Sequence, residues 1–355
     1  MLKFLIRYFI LVVFFILISG SALAQMPTCE SCHKDNSIKN LVPLFKPTSN
    51  EERGIGIMDK GQVANYLGNY GVLSNFHEYF NESIRWPAAA GAQTHYCFGL
   101  GLIVASKGNV ITSVIGAGTD KYDWSPKDGS RGKVFSGDVT APPPDETPFL
   151  AMSDNPDTWP EGYFDNGVWI STPGKRHWPG KFRTNIDETS QNFGEEVEGE
   201  FVSDRDIYSV FDDQDNSNPA GSLGIEVEEM AYTYGRPYAE DMLIWEFTIH
   251  NKSGRQLDSV YVGYYAIFRP DFDNKDYINI IDSNPNDQTD KLDFVYIWDI
   301  NNTKDGAWAT DPTDMGIVGL NILETPQNLG VTDFHYFSRD VAPSIDEQMW
   351  PIISS

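Results

Sequence analysis

Two cysteines and a histidine stand together at Cys29-Glu-Ser-Cys32-His33, the C-x-x-C-H spacing of c-type haem attachment. That chemistry needs two thiols that reach the two vinyl groups of one haem, while the adjacent imidazole ligates the iron from the same side. The chain holds three cysteines in all, and two of them lie in this pattern. Met58, His77 and His95 are the candidates for a second axial ligand. The same pair of thiols has other uses: a local disulfide in an oxidising compartment, or part of a metal site. The third, Cys97, lies between Tyr96 and Phe98 in a strand-like run and reads as a buried apolar residue.

Acidic loops form the second chemical signal. Asp212, Asp213 and Asp215 cluster with Asn216 and Asn218, and Asp271, Asp273 and Asp276 cluster with Asn274, with Asp282, Asp287 and Asp290 following. Alternating Asp and Asn in a turn can point oxygens inward, as calcium requires. Neither loop is an EF-hand. Counted from Asp271, the sixth position is Asp276 in place of Gly and the twelfth is Asp282 in place of Glu. The competing reading is a pair of solvated turns whose side chains bond their own backbone.

Other chemistry is less distinct. With 51 Asp and Glu residues, a carboxylate pair at glycosidase separation can be assembled in any fold, so such pairs carry no information. No G-x-S-x-G elbow, H-E-x-x-H pair or phosphate loop is present. His177 and His335 sit between bulky neighbours and read as packed or surface residues. Trp159-Pro160 and Trp178-Pro179 offer a sugar platform or, alternatively, extended residues that cover a core.

The elements that would carry these residues are strands. Leu223, Ile225 and Val227 alternate with Gly224, Glu226 and Glu228, and Leu243, Trp245, Phe247 and Ile249 alternate with Ile244, Glu246, Thr248 and His250, giving one apolar and one wet face. Val260 to Phe268 is apolar on both sides, and the three runs read as an antiparallel meander. Ser106-Lys-Gly-Asn109 reads as the turn of a hairpin between two further strand-like runs. Phe294–Trp298 and Gly316–Leu323 are also strand-like. The one helix predicted runs from an Asp59 cap through Val63 and Leu67 to a stop at Gly71. The stretch 116–199 is too long for a bare loop and is expected to hold short strands. Residues 335–355 give no clear signal.

Lys3 and Arg7, the apolar run from Tyr8 to Ile18 and Ala22-Leu-Ala24 have the order of a secretory leader cleaved after Ala24. Losing two basic and no acidic residues takes the formal charge from -25 to -27. So acidic a surface repels phosphate backbones and excludes nucleic acid as a partner. No other stretch is apolar enough to span a membrane.

Five segments resemble the N-terminal region of large secreted bacterial surface proteins: YDWSPKDGS from Tyr122, SDRDIYSVFDD from Ser203, LGIEVEEMAYTYGRP from Leu223, FTIHNKSGRQLDSVYVG from Phe247 and FRPDFDNKD from Phe268. Members often carry fibronectin-type-III-like modules and a C-terminal sorting domain for type IX secretion. The resemblance implies a structural region without an activity that can be carried over. The chain stops at Pro351-Ile-Ile-Ser-Ser with no sorting domain, which reads as truncation or a missing C-terminal module.

The expectation is therefore an all-β, antiparallel, sandwich-like body with a short N-terminal arm and one small helix. Residues 1–24 form the leader, 25–50 the arm and 51–355 the body, as one unit or two packed sub-domains meeting near 200. The expected function is a non-enzymatic structural or adhesive module, extracellular or on the outer cell surface, stiffened by calcium at Asp212, Asp213, Asp215, Asp271, Asp273 and Asp276. Its expected partner is a surface protein or polysaccharide. The alternatives are electron transfer by haem c at Cys29, Cys32 and His33 and a carbohydrate-binding module, and the alternative compartment is the periplasm.

Overall fold

In a computed structural model, the described residues are 6–15, 53–75, 83–88, 95–114, 123–127, 149–165, 168–268 without 215, 217 and 219, then 270, 276–281, 294–299, 315–337 and 341–355. The strands, in chain order, are β1 (Ile6–Phe15), β2 (Ile55–Met58), β3 (Asn65–Gly68), β4 (Val72–Asn75), β5 (Cys97–Ser106) and β6 (Asn109–Thr112). Next come β7 (Ser125–Pro126), β8 (Ala151–Met152), β9 (Gly162–Asp165), β10 (Val168–Ser171), β11 (Arg205–Asp212) and β12 (Ile225–Thr233). The last are β13 (Met242–Asn251), β14 (Val260–Phe268), β15 (Asp276–Ile281), β16 (Phe294–Asp299) and β17 (Ile317–Glu324), followed by α1 (Asp346–Ile353), the one α-helix among the described residues.

The main sheet runs β15-β16-β17-β1-β13-β12-β11-β7, with β8 also on β11, and a second sheet runs β14-β5-β4, with β6 on β5. Every pairing between these strands is antiparallel. The body is thus all-β and sandwich-like. The alternation read from the sequence explains the packing. Leu243, Trp245, Phe247 and Ile249 of β13 share one buried cluster with Ile225 and Val227 of β12, Phe211 of β11 and Leu100, Leu102 and Val104 of β5. Trp124 bridges the two sheets: its ring meets Phe211 edge-on at 5.3 Å and its indole N–H donates to the Leu102 carbonyl at 3.2 Å.

The other face of the main sheet is covered as well. Tyr208, Val210, Met230 and Tyr232 pack with Trp178, and Trp159, Phe182 and Phe201 close over them. This covering flap runs from Trp159 to Phe201, and the expected short strands of the stretch 116–199 are β7 and β8, which pair with β11 in the main sheet, and the β9–β10 hairpin. The pairs β5–β14 and β8–β11 run across residue 200, so each sheet combines segments from both sides of that point.

The hairpin at Ser106–Asn109 forms as expected. Lys107 and Gly108 both have positive φ, 48° and 88°, the conformation a two-residue primed turn demands. Two other expectations are corrected. The third run does not continue the meander: β14 pairs with β5 in the opposite sheet, and the β13 edge is taken by β1. The 252–259 link is long enough to cross the roughly 10 Å between packed sheets. The helix predicted over Asp59–Gly71 is also absent. Within that stretch Asn65–Gly68 forms β3 and pairs back on β2, and Gly71, at φ 74°, turns the chain under the Trp124 ring where a Cβ has no room. Val63 and Leu67 are both buried, but so are Ala64 and Asn65 between them, which a one-sided helix would not allow. The small helix lies at the other end, as α1, where Met349 is buried and Trp350 meets Tyr261 edge-on.

Ile6–Phe15 lies within the segment read as a leader and runs as a strand between β13 and β17. The apolar run from Tyr8 to Phe15, rich in β-branched and aromatic residues, suits the middle of a sheet as well as the core of a leader. Among the described residues, no helix is long and apolar enough to cross a membrane.

Candidate cation-binding site

The Asp-rich loop after β11 is folded inward. Asp213 is fully buried, and its carboxylate accepts the backbone N–H groups of Leu223, Gly224 and Ile225, the last at 2.8 Å, together with the Ser222 hydroxyl at 2.9 Å. One carboxylate therefore shapes the turn that leads into β12, as an Asx-type anchor does. The Asn216 amide donates to the Asp213 backbone carbonyl, and the Asn218 amide donates to the Val110 carbonyl of β6 at 2.6 Å. Asp212 is used differently, in an ion pair with Lys127 at 2.9 Å. Burial holds the Asp212 carboxyl above its ordinary range despite that bond. Asp215, Asp271 and Asp273 lie outside the described residues, and of Asp276 only the β15 backbone is described.

Against this loop stands a residue that sequence reading did not single out. Asp123, in the link between β6 and β7, is fully buried and accepts the Thr112 N–H at 3.0 Å through Oδ2. Its Oδ1 is buried and forms no hydrogen bond of good geometry. The Asp346 carboxyl, from the first turn of α1, and the Asn218 amide lie within reach of Asp123, and the Asp213 charge bears on it. Burial, with the nearby Asp213 charge adding to it, pushes the Asp123 carboxyl up to about 6.

A second cluster lies on the flap-side face of the main sheet. Glu226 and Glu228, two apart on β12, share a face, and the β12–β13 register sets His250 directly opposite Glu226. The three side chains bring ligand-type atoms within 4.8 Å of one another. His250 Nε2 lies 3.3 Å from Glu228 Oε1. Cations already occupy the surroundings: Lys252 is 3.3 Å from Glu226 Oε1 and Lys127 is 3.5 Å from Oε2. The alternation in the sequence marks Glu226, Glu228 and His250 as wet-face residues. Only the register brings them together.

Cys29, Cys32, His33 and His77 lie outside the described residues. Of the other proposed axial ligands, Met58 is fully buried with its sulfur near the Asn65 amide. His95 is buried, with its pKa lowered to about 4 by burial and by the Arg85 charge. Cys97 is buried and burial pushes its thiol up to about 12, the profile of an inert packed residue. The Trp-Pro pairs serve the second reading given for them. Trp159 and Trp178 pack at 5.7 Å, and each indole N–H donates to a backbone carbonyl, of Met152 and Lys181 respectively. His177 packs on Tyr163 at 5.0 Å, and exposed His335 contacts Asp333 at 2.9 Å.

The stacked row Phe294, Tyr296 and Trp298 on β16 also bears on sugar binding. The rings lie 5.8 and 5.4 Å apart at 18° and 21°, so they cover one another's faces. A sugar platform needs ring faces turned outward to the guest.

No family model, curated protein or solved structure matches the chain. The likeness to exported surface proteins rests on the five segments quoted above.

Proposed function

We propose that the chain is an exported, non-enzymatic structural or adhesive module of the cell surface, stiffened by calcium. The observation that supports this reading best is how the polar side chains tie loops to the sandwich. Asp213 organises the β11–β12 turn. Asp206 accepts the N–H groups of Val202 and Ser203 at 2.9 and 2.8 Å, ending the flap. Glu246 joins Tyr232 at 2.8 Å to Lys181 of the flap at 2.9 Å. Arg205 holds Asp154 through two bonds and reaches Asp59 at 2.6 Å. Such a body resists local opening, as a load-carrying or display module must. Its partner is a surface protein or polysaccharide.

Protease treatment of intact cells, with the N-terminus of the purified protein read by mass spectrometry, tests the reading. Surface accessibility and a start at Gln25 are the expected results. A protected chain that begins at Met1 overturns it. A second reading, electron transfer, is favoured by the C-x-x-C-H motif. Haem staining after expression with attachment machinery separates the two: covalent haem lost in a Cys29→Ala, Cys32→Ala variant replaces the structural reading.

A further inference from the structure

We infer that Asp123 and Asp346 hold a calcium ion at the outer edge of β6, with Asp213 supplying further negative charge. This deepens the calcium-stiffened reading above and rests on it. Three carboxylates from distant parts of the chain converge here: Asp123 from the β6–β7 link, Asp213 from the loop after β11, and Asp346 from the first turn of α1. Two carboxylates in contact inside a protein persist only when a proton or a cation lies between them. Among the described residues neither Asp123 nor Asp213 is paired with a lysine, arginine or histidine. Asp213 already has its oxygens engaged with backbone N–H groups, which fixes its position and leaves its charge in place.

The buried Asp123 Oδ1, which forms no hydrogen bond of good geometry, is the atom an ion would satisfy. An all-oxygen set with no imidazole or thiolate selects a hard cation. Calcium takes roughly six to eight oxygens, of which two carboxylates supply up to about four and water the rest. The ion would clip the helix to β6, whose strand neighbour among the described residues is β5, and so protect a sheet edge.

The test is thermal unfolding of the full chain, followed by circular dichroism with EDTA or with millimolar calcium, for the wild type, Asp123→Asn and Asp346→Asn. Modules of this kind bind in the range of about 0.1–1 mM, so a few millimolar calcium should raise the wild-type midpoint by about 2–3 °C. Each variant should lose that rise, and in EDTA should melt no lower than the wild type because a like-charge contact is gone. Asp346 is the less buried of the two and keeps the test valid if Asp123→Asn does not fold. An equal rise in the wild type and both variants refutes this site and leaves calcium binding elsewhere, as at the Asp271 loop. No rise in any of them refutes the site and the calcium reading together, and means that the pair shares a proton.

Discussion

Glu229 gives the sharpest expected pH signature of the fold. It lies on the core-facing side of β12, between Ser209 of β11 and Phe247 of β13, and only 1 % of it is exposed. The Ser209 hydroxyl donates to Oε2 at 2.7 Å, while Oε1 has no partner. Burial outweighs that bond and pushes the carboxyl up to about 8 from an ordinary 4.5. Between those two values the folded state keeps a proton that the unfolded chain has released. Stability from this group is therefore fully present below about pH 4.5 and falls as pH rises towards about 8. At ~1.4 kcal/mol per unit, the loss by pH 7 is about 3 kcal/mol. Glu229→Gln removes the titration and keeps a group that Ser209 can bond. In urea unfolding at pH 4.5, 6, 7 and 8, the variant should match the wild type at the acid end and exceed it by about 3 kcal/mol at pH 7. A difference between the two proteins that stays flat across this range refutes the reasoning. The difference isolates Glu229 from Asp123, Asp206 and Asp212, which burial also raises, and from His95, which acts in the opposite sense.

The two lysines beside Glu226 should behave unequally. Lys127 compensates Asp212 and Glu226, both nearly buried, so Lys127→Met should cost about 3 kcal/mol in denaturant unfolding. Half-exposed Lys252 should cost under about 1 kcal/mol when replaced by Ala, and equal losses would contradict the burial argument. Native protein should leave Cys97 unlabelled by an alkylating reagent until denaturant is added, since burial holds its thiol at about 12; mapping the alkylated peptide checks this. Gly71→Ala should destabilise severely in a thermal melt, because a Cβ there meets the Trp124 ring at a positive φ of 74°.

What was legible in the sequence was local. Period-two alternation identified β12 and β13 and their apolar faces, the Lys107-Gly108 pair identified the hairpin turn, and the setting of Cys97 between aromatic residues identified it as buried. Each of these depends on neighbours a few residues away, where backbone geometry ties pattern to structure. The partner of β14 was not legible, because its apolar pattern fits either sheet and only the crossing of the 252–259 link assigns it to β5. The β2–β3 ribbon carried a helical spacing that burial on all sides overrode, and α1 was too short, and interrupted by Pro351, to show a period. Composition alone marked the loop at Asp213 as acidic and turned. That its carboxylate binds backbone N–H groups, and that Asp123 and Asp346 come to stand beside it, was decided by tertiary structure. Contacts between residues so far apart in the chain follow from sheet register and packing, which no window of sequence contains.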